Sequence, residues 1–321
     1  MNRNFLLCSM LAGILLFCWG CGANIPEATQ TEQFPENPQI TIEYISPAQT
    51  LTVCDHLKDC TMEMELEDYV FHALAAEMFA EYDPEALKAQ ACAIRTFAVY
   101  KMNHGGCAVH AADICTDYHN CLAFLRDEEF AERWGQDEAV YAKKLKQAVA
   151  DTAGELIYYD GEPIFAVFHS NAGGSTEDIV HVFGENMPYL KSVESYEPED
   201  SFKYTQEAEF TNAEFDRIMQ EAYPQYLPRE IEIISRYDSG RVDRVKIGGI
   251  ELKGTEVRTL FSLNSAHFDI TQKDQSVLFH VVGYGHGVGM SQAGAQELAL
   301  RGYDYVDILK HYYTGVSIEK S

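Results

Sequence analysis

The sequence predicts an α+β body, mixed helices and antiparallel hairpins around a common core, and three observations lead to that class. Strong helix signals occupy the first half of the chain and return near its end. Two hairpin signals lie between them: LIYY and PIFAVF flank Asp160-Gly161, and segments 230–237 and 241–247 flank Asp238-Ser239-Gly240. Helices and hairpins do not alternate as βαβ units require, so a mixed α+β body fits better than a doubly wound parallel sheet.

Taken in order, Arg3 precedes an uncharged, largely apolar segment, residues 5–23, before the chain turns polar at Asn24, Pro26 and Glu27. At about 1.5 Å per residue these 19 residues span roughly 28 Å, close to a bilayer core of about 30 Å, so residues 1–25 fit a cleaved signal peptide or an uncleaved membrane anchor. Gly20-Cys21 adds a third, lipoprotein reading. Each of them places the body outside the cytoplasm. Residues 26–38, PEATQTEQFPENP, form a linker, and the domain occupies 39–321, opening with the alternating strand QITIEYI. A helix over 66–78 carries the chain to Glu77. The next is marked by Asp83 as its cap, Pro84 in its first turn, and an apolar stripe of Leu87, Ala91, Ile94 and Ala98. Further helices are predicted at 138–150, 211–222, 255–262, 291–301 and 304–313, and there is no internal repeat.

Composition narrows the function. With 46% hydrophobic and 12% aromatic residues and only 10 prolines, the chain can bury a core and is not disordered. Lys and Arg number 24 against 50 Asp and Glu, a net charge of 24 − 50 = −26, which excludes nucleic acid and anionic membrane faces as main partners. Six of nine cysteines lie in the body, all before residue 122. Cys92 falls within a helical pattern as a small buried residue, while Cys54 and Cys60 suit either a short disulfide loop or two free thiols.

Three segments carry candidate chemistry. Glu77 sits among Ala75, Ala76, Met78 and Phe79, surroundings that favour a protonated carboxyl able to act as a general acid. Lys88 and Arg95, seven apart on the following helix, share one face at the border of its apolar stripe. In HAADICTDYHNC, His110, Cys115, His119 and Cys121 form a set able to hold Zn²⁺ tetrahedrally with no open position, hence in a structural or site-organising role. A Cys115–Cys121 disulfide and unligated residues fit the same spacing. The third is a pair of glycine-bearing loops, FHSNAGGSTED with MPYLKSVES after it, and GYGHGVGMSQAGAQELA. They offer His169, Ser170, Tyr189, His286, Ser291 and Gln292 as ligand-binding groups and alternating glycines that let backbone approach a ligand. HExxH, GxSxG and GxxxxGK[ST] patterns do not occur.

EALKAQACAIRTFAVY, HSNAGGSTE with PYLKSVES, ELKGTEVRTLFSLNS, and GYGHGVGMSQAGAQELALRGYDYVDILKHYYTG together resemble the SpoIID/LytB family, from about residue 39 to 318. The resemblance implies a SpoIID-like fold with a substrate groove and a lytic transglycosylase that cuts peptidoglycan glycan strands freed of stem peptides, between N-acetylmuramic acid and N-acetylglucosamine. It also implies a membrane-held enzyme of sporulation engulfment with a partner amidase and a further membrane protein. Members of the family's other branch are non-catalytic and enhance amidases. Carried over by motif, the catalytic acid falls on Glu77 and the basic positions on Lys88 and Arg95, which would hold the lactyl carboxylate. Zinc sites occur in some members, with His110, Cys115, His119 and Cys121 as the nearest equivalents here. Two departures stand out. Phe79 replaces a usual proline, and the family's zinc-binding histidine positions hold Val109 and Asn120, which makes Cys107 a substitute ligand.

Overall fold

Strands β1 (Thr50–Asp55) and β2 (Cys60–Glu65) form an antiparallel hairpin paired from Thr50↔Glu65 to Asp55↔Cys60. Asp55 closes its turn by accepting the N–H groups of Leu57 and Lys58, and Arg126 pairs with the same carboxylate from a distant loop. Cys54 and Cys60 are free thiols. The computed structural model describes residues 49–320 except Arg229, so the leader, the linker and the strand expected at 39–45 lie outside the described residues. Among those described, no helix is long and apolar enough to cross a membrane.

The hairpin leads into α1 (Leu66–Glu77), and a short connection reaches α2 (Pro84–Asn103), whose first turn is capped by the Asp83 side chain on the Glu85 N–H. The expected stripe on α2 proves too narrow. Thirteen of its 20 residues are buried, because α1 and later elements surround it, and its alanines let them approach closely. Each fully buried Leu87 or Ile94 side chain contributes about 1.5–3 kcal/mol, so this helix is the centre of the first core. Arg95 is buried with it, which corrects the expectation of a cationic edge. Its Nε and Nη2 bond the Glu67 carboxylate at 2.8 and 2.6 Å, and its other donors reach the carbonyls of Glu155 and Val149. Lys88 pairs with Glu85 and lies 5.0 Å from the Tyr305 ring centroid.

After α2 come β3 (Ile114–Cys115), parallel to β1, then the short α3 (Phe130–Trp134) and α4 (Glu138–Asp151). The first predicted hairpin forms as β4 (Glu155–Tyr159) and β5 (Glu162–Pro163), with Asp160 and Gly161 both at positive φ (52° and 81°), as a tight turn of this type requires. Its second arm is shorter than PIFAVF suggested, because the chain leaves for β6 (Phe168–His169). A single turn, α5 (Ile179–Val182), follows.

The second core belongs to a layer of antiparallel sheets. In chain order its elements are β7 (Thr205–Thr211), α6 (Asn212–Ala222), β8 (Ile231–Arg236), β9 (Val242–Ile247), β10 (Ile250–Lys253), α7 (Gly254–Leu260), β11 (Phe268–Gln272) and β12 (Ser276–Val282). The sheets run β10-β9-β8 and β11-β12-β7, and Phe215, Phe261, Phe268 and Phe279 pack between them. The chain then returns to the first core through β13 (Met290–Ser291), parallel to β6, with α8 (Gln292–Leu300), α9 (Tyr305–Tyr312) and β14 (Ser317–Lys320), which pairs with β4. The outcome is the α+β class expected, with several antiparallel sheets.

Candidate active site

Glu77 is the last residue of α1, and the helix ends there because Met78 turns extended (φ −113°, ψ 153°) while its N–H still closes on Leu74. Six residues separate it from the start of α2, so the carboxyl sits at the junction of the two helices. Oε1 accepts the Ala123 N–H at 2.8 Å, and the Glu77 carbonyl accepts the Gln292 amide at 3.1 Å. Burial raises the carboxyl to about 7; the Ala123 N–H, the Gln292 amide and the Arg133 charge pull the other way without cancelling it.

The carboxyl opens on a cavity of about 290 Å³ lined by Ala76, Met78, Phe79, Tyr82, Arg133, Ser170, Phe202, Tyr284 and Gln292. Three residues singled out from sequence therefore meet: Glu77, Ser170 and Gln292. The fold explains how. Gln292 opens α8, whose N-cap is Ser291, and the Ala293 N–H donates to the Ser170 carbonyl at 3.0 Å. Across the mouth, Phe79 meets Phe202 edge to face at 5.0 Å, both rings well exposed.

Other sequence candidates do not line this cavity. The Ser291 hydroxyl bonds Glu197 and caps α8, and the Tyr189 hydroxyl accepts the Phe165 N–H in the core. His169 is buried with Nδ1 3.1 Å from the Val288 carbonyl, and burial pushes its imidazole well below the usual range. His286, its neighbour, is pushed down to about 4 by burial first and then by the Arg258 charge. The alternating glycines serve packing. A Cβ on Gly289 would lie 2.0 Å from the Val167 carbonyl, and one on Gly285 would lie 2.7 Å from His169 Cβ, so the loop is pressed against segment 167–172. Sequence reasoning does not single out Phe79, Phe202, Tyr284 or Arg133 as binding residues. Arg133 has one visible signal: it is the lone base among six acids between residues 127 and 138.

The thiol cluster is Cys107, Cys115 and Cys121, with all three sulfurs within 4.8 Å of one another. His110 and His119 are not part of it, which corrects the four-residue set. His119 lies exposed against the Tyr118 ring, and His110 contributes only its backbone N–H, directed at Cys107. Burial raises the Cys107 thiol, but the N–H groups of Val109 and His110 with the neighbouring thiols outweigh it, and the net direction is down. No disulfide joins Cys115 to Cys121. Cys121 stands two residues before Ala123, so the loop that the thiols gather is the one that donates to Glu77.

A family model described as stage II sporulation protein, SpoIID, matches residues 56–159. Stage II sporulation protein D of Bacillus amyloliquefaciens is 36% identical over 259 residues, covering 80% of this chain and 74% of that protein. Its namesake in Bacillus subtilis (strain 168) is 35% identical over 264 residues, covering 80% and 75%. An amidase enhancer of the same organism is 24% identical over 295 residues, covering 75% of this chain but 39% of that protein.

Proposed function

The chain belongs to the stage II sporulation protein D (SpoIID) family, and from that premise we propose that it is a peptidoglycan lytic transglycosylase acting in sporulation. The observation that carries this reading is Glu77, a desolvated carboxyl and the one acidic side chain among the described residues lining the cavity. Ordinary glycosidases need two carboxyl groups flanking the bond. A lone acid suffices when the sugar supplies its own nucleophile. Protonated Glu77 gives its proton to the glycosidic oxygen between N-acetylmuramic acid and N-acetylglucosamine, and the C1–O bond breaks. The resulting carboxylate takes the proton of the muramic 6-hydroxyl as O6 bonds C1, which closes a 1,6-anhydro ring and consumes no water. The Ala123 N–H steadies the carboxylate formed midway.

Two results are expected on this account. On amidase-denuded glycan, kcat/KM falls as pH rises through about 7, because the acid must enter protonated. A limb near the ordinary carboxylate value would contradict a desolvated acid. Glycan whose muramic 6-hydroxyls are O-acetylated should resist cleavage, because O6 then has no proton to give up and cannot close on C1. A second reading, a glycan-binding module that enhances a cell-wall amidase, draws on the amidase-enhancer relative; it predicts glycan binding with no anhydro ends.

The same reading puts the body outside the cytoplasm, held or exported through residues 1–25, with a partner amidase and a membrane engulfment protein. The thiol cluster fits zinc. Sulfurs within 4.8 Å accord with the spacing of about 3.8 Å that Zn–S bonds of about 2.3 Å impose on a tetrahedron. Cys107, Cys115 and Cys121 would hold the ion, which supplies a cross-link for the loop carrying Ala123. Chelation is expected to lower the melting temperature by at least about 5 °C and to speed amide exchange at 107–123. Metal-free protein with unchanged melting would contradict a structural ion.

A further inference from the structure

Arg133 occupies a position that the mechanism above does not use. The helix carrying it, α3, is pinned to α1 by a ring stack: Phe130 lies 5.6 Å from Phe71, 5.5 Å from His72 and 5.0 Å from Trp134. That stack fixes the guanidinium beside the end of α1, where Nη2 donates to the Ala76 carbonyl at 3.3 Å and, at 3.5 Å, to the Met78 carbonyl. Both carbonyls flank Glu77. Among the described residues Arg133 forms no ion pair, although the charges of Glu77 and Glu81 act on it, and only its Nη2 is bonded to protein, which leaves the Nε and Nη1 edge open. A guanidinium has five donors in a planar fork, so an edge remains for a planar two-oxygen acceptor.

The rest of the cavity agrees with an anionic sugar. At its other margin the Lys203 ammonium lies 4.1 Å from the Tyr284 ring centroid and 5.3 Å from that of Phe202. The single lining carboxyl, Glu77, is uncharged below about pH 7. A chain with 50 acids and 24 bases thus places two bases, Arg133 and Lys203, at this pocket, with Glu81 the ionised acid whose charge reaches Arg133. The exposed Phe79 and Phe202 rings offer flat apolar faces on which a pyranose ring can lie.

Resting on the glycan-cleavage reading, we propose that Arg133 determines specificity by binding a free carboxylate on the sugar next to the scissile bond, so that the cavity selects glycan whose acid groups are unmasked. An amide at that carboxyl carries no charge and one acceptor oxygen instead of two, and it would leave the fork unmatched.

The test is binding in a Glu77→Gln background, where cutting does not interfere, with three probes: denuded muramyl oligosaccharide, the same oligosaccharide with its carboxyls converted to amides, and an N-acetylglucosamine oligomer. The expected preference for the free-acid probe is about 10–100-fold. Arg133→Gln should abolish that preference while leaving affinity for the amide and the uncharged oligomer unchanged, and Arg133→Lys should restore only part. Preference that survives Arg133→Gln, or that is lost with Lys203→Gln and kept with Arg133→Gln, would overturn the assignment. Wild-type protein that shows the Arg133-dependent preference yet forms no anhydro product would overturn the transglycosylase reading and uphold this one.

Discussion

Glu77→Gln is expected to lose at least about a thousandfold in glycan cleavage and yet to melt higher than wild type above pH 7. The activity loss follows because the amide cannot donate the proton that the leaving sugar needs. The stability gain follows from linkage. The carboxyl titrates near 4.5 when solvated and about 7 when folded, so between these values the folded state holds a proton that the unfolded state has released. Raising pH through that window therefore removes stability from wild type, on the order of 1–3 kcal/mol once partial solvent access is allowed for. The substituted amide is neutral at every pH, keeps an oxygen for the Ala123 N–H, and escapes the loss. Melting of the two proteins should coincide near pH 4, diverge as pH rises from about 4.5 to 7, and stay apart above pH 7. Equal melting at all pH would mean that the carboxyl is solvated, and wild-type-like cleavage would remove Glu77 from the mechanism.

Arg95→Met should cost about 3–5 kcal/mol of stability and leave glycan affinity of the folded protein unaltered. The arginine is fully buried and ties together three parts of the first core: Glu67 on α1, Val149 on α4 and Glu155 on β4. Deleting it strands the Glu67 carboxylate, which keeps the Gly154 N–H but loses its countercharge. Lysine cannot reproduce the two parallel bonds of the guanidinium, so Arg95→Lys should also destabilise, by less. The double variant Arg95→Met/Glu67→Gln should recover part of the loss, because the uncompensated charge is then gone. Normal melting with weakened glycan binding in Arg95→Met would instead restore the cationic edge that the sequence suggested.

These two residues show what a single sequence can and cannot reveal. Glu77 is legible because its environment is local: apolar neighbours at the end of a marked helix suffice to raise a carboxyl. Asp160-Gly161 and Asp83-Pro84 are legible for the same reason, since turn and cap chemistry act within a few residues. Arg95 is not, because its partners are 28 to 60 positions away and only packing on both sides of α2 converts a helix-border base into a core one. The sheet of β7, β11 and β12 escapes notice likewise. In β7 the exposed and half-buried positions alternate (TQEAEFT), too polar a pattern to signal a strand without the distant partner β12. At the cysteine cluster the sequence locates the loop, but spacing favours histidines where the fold gathers a third thiol. Arg133 can be noticed by its charge context, but its place beside Glu77 depends on the ring stack that seats α3.

On the proposed mechanism one buried acid breaks the glycan with the sugar's own hydroxyl as nucleophile. The most direct measurement is mass analysis of denuded peptidoglycan digested in parallel by wild type and Glu77→Gln. The mechanism predicts that wild type releases fragments with 1,6-anhydromuramic ends, each lighter by one water than a hydrolysis product, and that Glu77→Gln releases none. Reducing muramic ends from wild type, or anhydro ends from both proteins, would contradict it.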